Sequence, residues 1–388
     1  MRRITYLVWG DAWSPVIRGQ ACDVVGMLRG LDGVASADFA MGVSLRHFLK
    51  ERRSILTADA DASVLPMFPG NRNWSKNVPL LALYLSRKRS NVVICRGPIA
   101  AVLALRARKF GGLDYRVCYD GRGARSAEIR EYSSDDVFAD VMSEIEREAI
   151  QAADWRIAVS QALVEHWRES FDFNGNDYTV VPCSVAAHFD GPKIKQGQLI
   201  RESFGWGKDD PIIVHLGGGA GWQNGPLSFV AIRHWLRVNP RLRHLILSKE
   251  NDQLNELKTE FPDQVVITQV THDQVPDYLS AADYGLLLRE ENVTNGVASP
   301  VKFAEYLSCG LQILISANLG DFSEMVAEDS LGNVVTELNY ADVSFVPVSE
   351  CRKRELSEYA MRVFSKASPF VRQQYQSVLN GVRAYEDR

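Results

Sequence analysis

Apolar and polar positions change period repeatedly along the chain, which is typical of alternating strands and helices. Short apolar runs such as Ile4–Trp9 and Val92–Cys95 predict buried strands, and apolar residues three or four positions apart predict amphipathic helices. Ser160 is expected to cap the helix that follows it. The other elements predicted in the first half are the helices Gly19–Leu31, Ala100–Phe110, Asp135–Ala153 and Gln161–Ser170 and the strands Tyr115–Tyr119, Trp155–Val159 and Thr179–Val181.

The polar segment Ala186–Gly207 has no clear period, and we predict that it is a linker. After it the alternation of strands and helices begins again. The predicted strands are Ile212–Leu216, His244–Ser248, Val265–Gln269, Tyr284–Arg289 and Gln312–Ser316, and the predicted helices are Pro226–Val238, Asp252–Glu260, Val275–Ala281 and Val301–Cys309. Such alternation indicates parallel sheets with right-handed crossovers.

We therefore expect an α/β fold of two doubly wound, Rossmann-like domains that face each other across a cleft. The N-terminal domain is expected to span residues 1–185 and the C-terminal domain residues 186–365, with a helix in 366–388 that packs back on the first domain. In open parallel sheets, ligands bind at the carboxyl ends of the strands. Candidate functional residues are therefore sought directly after each strand.

Composition narrows the class of protein. The chain has 388 residues, of which 46% are hydrophobic and 24% charged, and its six cysteines are scattered without a CxxC pair. These values exclude disordered and disulfide-rich proteins, and they indicate reduced thiols in a cytoplasmic protein. No apolar run is long enough to span a membrane, and the N-terminal run is too short for a signal peptide.

The net charge of −4 conceals two opposite halves. Residues 1–130 contain 21 lysines and arginines against 10 acidic residues, whereas residues 131–388 contain 23 against 38. The basic first part suggests an anionic partner: nucleic acid, a membrane surface or a phosphorylated substrate. Arg87-Lys88-Arg89 follows the apolar run Leu80–Leu85, which is compatible with peripheral contact to the inner face of the cell membrane and also with an ordinary solvated helix end.

A glycine-rich loop, His215 to Gly225, follows the first strand of the second half and leads into a helix. Consecutive glycines let the backbone approach a diphosphate closely. Its spacing departs from the dinucleotide fingerprint, so three alternatives stay open: an NAD site, a tight turn without a ligand, and a site for another nucleotide diphosphate.

A second segment has the features of an anion-binding helix start. Ser299-Pro300 is expected to begin a helix that Gly310 closes, and its first turn presents free N–H groups together with the charge of Lys302. Glu305 lies about one turn further on the same face, where its carboxylate could accept hydrogen bonds from a ribose diol. The alternative is an ordinary surface pair of Lys302 and Glu305.

The segment at 299–316, SPVKFAEYLSCGLQILIS, resembles the signature of retaining glycosyltransferases of GT-B architecture, specifically glycosyltransferase family 4. Further similarity lies in the glycine-rich loop with Trp222 and Gln223, in the pattern around Val275–Asp283, and in Tyr119-Asp120-Gly-Arg122-Gly with Glu128. The last resembles a segment of bacterial surface-polysaccharide members. The resemblance spans nearly the whole chain.

The resemblance implies roles for individual residues. Glu305 matches the second glutamate of a motif that binds the donor ribose, and Val297 stands where the first glutamate would be. Gln223 and Asn224 stand near the positions of a basic pair in the family. The implied donor-binding set is Gly217, Gly218, Gly219, Lys249, Arg289, Asn295, Ser299, Pro300, Val301, Lys302 and Glu305. Because Val297 cannot accept a hydrogen bond from a sugar, two alternatives stay open: Glu290, Glu291 or Asn295 replaces that contact, or the sugar is held in a different way.

In the first half, candidate residues also follow strands. Asp120 could orient an acceptor hydroxyl, stabilise positive charge on the sugar, or form a turn with Arg122. The predicted catalytic residues are Asp120, Lys302 and Glu290. The predicted acceptor-binding residues are Arg18, Gly19, Gln20, Arg96 and Arg122, and the three arginines could bind an acceptor phosphate.

The resulting hypothesis is a bacterial polysaccharide glycosyltransferase. It would use a nucleotide-diphosphate sugar as donor and a glycan or lipid-linked glycan as acceptor, with retention of configuration by front-face displacement in the cleft. No cofactor, metal or nucleic-acid partner is expected, since the chain has no HExxH, GxSxG or basic–aromatic motif. Two alternatives are a nucleotide-sugar epimerase of the same fold and a non-catalytic sugar-binding protein.

Overall fold

The structure is a computed structural model that describes residues 1–68, 71–133, 135–217 and 226–384. The chain divides into two compact units. The first contains Met1–Ala186 together with the C-terminal segment from Pro369, and the second contains Ala187–Ser368.

The first unit is built on a parallel sheet of seven described strands in the order β3-β2-β1-β4-β5-β6-β7. Its strands are β1 (Arg2–Val8), β2 (Val34–Ser44), β3 (Ser63–Met67), β4 (Val92–Arg96), β5 (Arg116–Gly121), β6 (Trp155–Ala158) and β7 (Tyr178–Val180). Its helices are α1 (Pro15–Ile17), α2 (Asp23–Leu28), α3 (Phe48–Ala58), α4 (Val78–Lys88), α5 (Pro98–Gly111), α6 (Arg125–Tyr132), α7 (Asp136–Ala152), α8 (Gln161–Phe171) and α17 (Pro369–Ala384).

The second unit is built on a parallel sheet of six described strands in the order β10-β9-β8-β11-β12-β13. Its strands are β8 (Ile212–Leu216), β9 (Arg243–Leu247), β10 (Val265–Thr268), β11 (Tyr284–Leu287), β12 (Gln312–Ser316) and β13 (Gly332–Val335). Its helices are α9 (Ile194–Ser203), α10 (Pro226–Val238), α11 (Asp252–Glu260), α12 (Val275–Ser280), α13 (Val293–Gly296), α14 (Val301–Ser308), α15 (Phe322–Glu328) and α16 (Glu350–Phe364).

These two doubly wound sheets confirm the predicted α/β fold class, and most element limits agree to within two residues. The cap at Ser160 is confirmed, since its side chain accepts a hydrogen bond from Leu163 N at 3.0 Å. Each sheet has its core strands buried between helices, as expected for parallel strands joined by helical crossovers. In the described part of the chain, no helix combines the length and apolar character that crossing a bilayer requires.

Helix α17 belongs to the first unit although it follows the second in the chain. Its buried residues Val371, Tyr375, Val378 and Leu379 are part of the same apolar core as β1 and β2. Gln374 Nε2 also donates a hydrogen bond to Val180 O of β7 at 3.1 Å. The last helix thus completes the core of the first sheet.

The predicted linker Ala186–Gly207 is wrong in part, because α9 lies within it. Gly197 packs so closely that a Cβ there would stand 2.5 Å from Ser280 O. Arg201 is buried and donates to Ala281 O and to Asp283 Oδ2, each at 2.7 Å. Ile200 is the one large apolar side chain that this helix buries, beside Gly197 and Arg201, so the segment has no apolar stripe from which a helix could be predicted.

The prediction also assigned no strand between residues 32 and 91, where β2 and β3 are found. Helix α3 buries only Ile55, which leaves it without an apolar face. Strand β3 lies at the edge of the sheet with Pro66 inside it and with no fully buried residue. Proline removes a donor from the strand pairing and occurs in sheets mainly on edge strands, so its presence in this short apolar run argues against a strand.

Candidate functional site

The second unit has a topological switch point between β8 and β11. In its strand order, β8 pairs with β9 on one side and with β11 on the other, so the connections leave in opposite directions. Ligands of open parallel sheets bind at the carboxyl ends of such strands. Gly217 follows β8 and Arg289 follows β11, so both lie at this edge. Gly218, Gly219, Trp222, Gln223 and Asn224 lie outside the described residues.

Helix α14 is fixed to the start of the glycine-rich loop. The hydroxyl of the fully buried Tyr306 accepts a hydrogen bond from Leu216 N at 2.9 Å. Gly285 of β11 permits this approach, because a Cβ there would stand 2.3 Å from the ring of Tyr306. Gly217 N in turn donates to Leu247 O at 3.2 Å. The beginning of the loop and the helix are therefore held in one arrangement.

The helix begins at the residue that the apolar pattern predicted, but Pro300 lies before its first turn and not in it. Pro300, with φ −66° and ψ 125°, occupies the position before the first turn, and α14 starts at Val301. Ser299 is buried beside it. Phe303 N donates to Pro300 O at 3.0 Å, and Pro300 supplies no side-chain cap. The positive end of the helix dipole lies at this first turn and favours an anion.

Glu305 and Lys302 are electrostatically unusual. The side chain of Glu305 is only 6% exposed, which excludes the ordinary surface pair. Burial raises the pKa of Glu305 to about 7, against the opposing effect of Lys302. Burial and the charge of Arg289 lower the pKa of Lys302 to about 7, and Glu305 acts in the opposite direction. Two groups that titrate near neutral pH therefore lie at the start of one helix.

His215 lies close to the same charges. Burial, followed by the charge of Lys302, lowers the pKa of His215 to about 3, so the imidazole is neutral at neutral pH. Gly217 packs between His215 and Ser248, because a Cβ at Gly217 would stand 3.4 Å from His215 Nε2 and 3.3 Å from Ser248 Oγ. Lys302 and Arg289 are the lysine and arginine whose charges act on His215.

Asn295 organises the segment between β11 and α14. It is 1% exposed, accepts a hydrogen bond from Arg289 Nη1 at 3.3 Å and donates one to Glu290 O at 3.0 Å. Arg289 N is also bonded to Ser316 Oγ at 3.2 Å. Asn295 therefore supports Arg289 rather than presenting its own amide to solvent.

The other predicted donor and sugar contacts differ in accessibility. Glu290 and Lys249 are exposed, whereas Val297 is 5% exposed. The exposed Glu291 accepts a hydrogen bond from Asn318 Nδ2 at 3.0 Å. The roles assigned to Glu290, Lys249 and Glu291 stay predictions.

In the first unit, Asp120 and Arg122 form a buried ion pair. Arg122 Nη2 donates to Asp120 Oδ2 at 2.8 Å, and Arg122 Nε lies 2.8 Å from Oδ1. Tyr6 also donates to Asp120, which is fully buried. Tyr375 of α17 is bonded to Arg122, and burial raises the pKa of that phenol to about 12. These contacts give Asp120 the role of holding Arg122, and its predicted direct role with substrate stays a prediction.

A cavity of about 240 Å³ lies next to this pair, at the carboxyl ends of β1, β4 and β5. Arg122 and Arg96 line it together with Trp9, Tyr119 and Arg125. Sequence reasoning found the two arginines from their positions after strands. It missed Trp9 and Arg125, whose only signal was their proximity to a strand end.

The remaining predicted acceptor residues lie elsewhere in this unit. Arg18 is exposed and Gly19 is buried. Gln20 is 2% exposed, donates to Ser184 O at 2.5 Å and accepts from Ser184 N at 3.2 Å. The backbone of Ser184 thus accounts for both ends of the Gln20 amide, which ties the first helical segment to the end of the unit.

Among the described residues of the two units, no group of three or more His, Cys, Asp or Glu side chains could hold a metal ion. The six cysteines are all free thiols, and Cys351 is the exposed one.

No protein-family model and no curated protein sequence matches this chain. Solved structures do. Sucrose-phosphate synthase from Thermosynechococcus elongatus is 12% identical, with a TM-score of 0.68, and the match covers 99% of this chain and 100% of that one. HepE from Anabaena in complex with UDP is 13% identical, with a TM-score of 0.71 and coverage of 97% and 99%.

The lipopolysaccharide outer core galactosyltransferase WaaB is 11% identical, with a TM-score of 0.66 and coverage of 97% and 99%. These similarities cover both units in a single match. They establish that the chain has the GT-B fold, with two Rossmann-like domains.

Proposed function

We propose that this chain is a glycosyltransferase that uses a nucleotide-diphosphate sugar as donor and belongs to bacterial surface-polysaccharide synthesis. The observation that carries the proposal is the arrangement at the switch point of the second unit. There the start of a glycine-rich loop, the first turn of α14, Lys302 and Arg289 lie at one edge, with the buried Glu305 one turn further.

Each part of this edge suits one part of the donor. The first turn of α14 and the side chains of Lys302 and Arg289 would stabilise the diphosphate, whose charge grows as it leaves the sugar. The ionised Glu305 would accept hydrogen bonds from the ribose hydroxyls. UDP is the proposed nucleotide, because the structurally similar HepE was obtained in complex with UDP and with UDP-glucose.

The acceptor, a glycan or lipid-linked glycan, is proposed to bind the first unit, where Arg96 and Arg122 line a cavity. The transfer is proposed to retain the anomeric configuration. The acceptor hydroxyl would attack from the face that the diphosphate leaves, with a diphosphate oxygen accepting its proton. This mechanism requires no enzyme nucleophile and no bound cofactor.

Calorimetric titration of the full chain with UDP, GDP and ADP tests donor binding. We expect UDP to bind and Glu305→Gln to weaken that binding. Failure of all three nucleotides to bind would overturn the proposal. Incubation with UDP-sugars, with and without glycan acceptors, then tests the reaction. Conversion of the donor sugar without any acceptor would instead identify an epimerase, and binding without turnover would identify a sugar-binding protein.

A further inference from the structure

The cavity in the first unit lies at that sheet's own switch point. Strand β1 pairs with β2 on one side and β4 on the other, and the cavity is lined where β1, β4 and β5 end. Gly10 and Gly97, with φ of +92° and +78°, turn the chain sharply after β1 and β4. The two turns let the backbone leave the strands without filling the space between them.

Arg96, the last residue of β4, is poorly satisfied for a buried cation. It is 8% exposed, and its Nε and Nη1 have no hydrogen-bond partner among the described residues. Its nearest carboxylate oxygen is Asp11 Oδ2, 3.7 Å from Nε, on a side chain that is nearly half exposed. Buried donors without acceptors are costly, and most are satisfied in folded proteins.

The two other arginines of the lining are already paired. Arg122 is held by Asp120, and Arg125 Nη1 donates to Glu128 Oε2 at 2.8 Å. Arg122 Nε also has no hydrogen-bond partner among the described residues, but it lies 2.8 Å from Asp120 Oδ1. Of the three arginines, Arg96 is therefore the one whose guanidinium has no carboxylate within hydrogen-bond distance among the described residues. Its planar fork of N–H groups suits a phosphate or carboxylate in two-point contact.

Further donors surround the same space. Trp9 Nε1 and the Tyr119 hydroxyl are buried and have no partner among the described residues, and both residues belong to the cavity lining. Helix α5, 14 residues long, begins at the cavity wall after Gly97, which provides no side-chain cap. Its free amides and positive dipole end favour an anion. The unpaired groups of this cavity are thus predominantly hydrogen-bond donors.

We propose that this cavity binds the oxyanion of an acidic acceptor, a phosphate or carboxylate attached to a sugar, and that Arg96 forms the ion pair with it. The proposal rests on the proposed function, since it specifies the acceptor of that reaction. The carboxylates of Asp11 and Glu128 in the lining supply acceptors for neighbouring sugar hydroxyls. The volume of about 240 Å³ is below the roughly 300–1,000 Å³ of drug-sized pockets, which suits one sugar unit with its anion.

The test is calorimetric titration of the full chain with glucose 1-phosphate, glucuronic acid and methyl glucoside. We expect the anionic sugars to bind and the neutral glycoside not to bind. Tighter binding of the phosphate identifies a phosphorylated acceptor, and tighter binding of the uronate identifies an acidic sugar. Arg96→Gln is expected to weaken anion binding by roughly 10- to 150-fold, the range for hydrogen bonds to a charged group.

Arg130→Gln is the matched control, because Arg130 is half exposed in the same unit and pairs with Asp140. It should leave anion binding unchanged. UDP titration of every sample shows whether the second unit is intact and tests the proposed function separately. If UDP binds but the anionic sugars do not, the proposed anion site is wrong and the proposed donor site is not affected. Equal anion affinities of R96Q and R130Q would also overturn the proposed anion site. Arg96-dependent anion binding without UDP binding would support the anion site and overturn the proposed donor.

Discussion

Glu305→Gln separates a binding role from a structural one, because the two roles predict opposite effects. The substitution removes the charge but keeps the size of the side chain and one oxygen acceptor. If the role of Glu305 is to bind the donor ribose, its ionised form lowers the free energy of unfolding of the ligand-free protein. Removal of the charge should then stabilise the fold at alkaline pH while it weakens nucleotide binding.

The magnitude follows from the pKa of Glu305, which burial raises from 4.5 to about 7. A carboxyl with a raised pKa in the folded state contributes most below its unfolded pKa, and that contribution is lost as pH rises through about 7. At 1.36 kcal/mol per unit of pKa, the loss is about 3 kcal/mol by pH 8. About 2–3 kcal/mol of it falls between pH 5 and pH 8.

Relative to the unmodified chain, the free energy of unfolding of E305Q should therefore increase by about 2–3 kcal/mol between pH 5 and pH 8. The affinity for UDP at pH 8 should fall roughly 10- to 150-fold, from the loss of hydrogen bonds to a charged group.

Urea unfolding at the two pH values and calorimetry with UDP measure these effects. With two units, the relevant transition is the one that UDP shifts to higher urea concentration. Glu146→Gln is a matched control in the first unit. Glu146 is also fully buried, and it accepts hydrogen bonds from Arg125 N and Ser126 N at 2.7 Å. E146Q should leave UDP affinity unchanged. Unaltered UDP affinity in E305Q, or a stability difference independent of pH, would refute the reasoning.

Three further outcomes are expected. In the ligand-free protein at pH 8, Lys302, with a pKa of about 7, is mostly neutral, so UDP binding should be accompanied by the uptake of about one proton. Lys302→Met should abolish this uptake, which calorimetry in two buffers measures, and persistent uptake would contradict the prediction. Asp120→Asn leaves the buried Arg122 without its countercharge and should destabilise the first unit by about 3–5 kcal/mol in urea unfolding, whereas an unchanged midpoint would argue against the pair. Gly285→Ala places a Cβ 2.3 Å from the ring of the buried Tyr306, and this overpacking should destabilise the fold by at least about 1–3 kcal/mol and so lower the unfolding temperature. Gly26→Ala is the control, because a Cβ at Gly26 has open space around it and should not lower the unfolding temperature.

Hydrophobic periodicity predicted five of the six described strands of the second sheet and missed β13, in which only Val335 is buried. The five predicted strands, from Ile212–Leu216 to Gln312–Ser316, are buried strands that read as continuous apolar runs. The same signal fails where an element is stabilised by polar contacts. Helix α9 packs through Gly197 and Arg201, and α3 buries a single apolar residue, so neither has a stripe that periodicity could detect.

The sequence predicted where the residues of the candidate site lie along the chain, but it did not predict their ion-pair partners or their burial. The rule that ligands bind after strands found Arg96, Arg289 and the loop at Gly217. It could not distinguish the paired Arg122 from the underpaired Arg96, because their partners Asp120 and Asp11 are set by tertiary contacts. Nor could it show that Glu305 is buried, since a helix face is turned inward or outward by packing.

The position of α17 also fixes the order in which the two units can form during synthesis. Residues 187–368 of the second unit form one continuous stretch, so this unit can fold as soon as it has left the ribosome. The first unit lacks part of its core until α17 has been made, because Val378 and Leu379 belong to that core. At about 5–20 residues per second, the ribosome needs roughly 10 to 40 s to make the 182 intervening residues. During that interval the seven-stranded sheet, although synthesised first, has an open apolar face, and the unit that starts second can finish folding first.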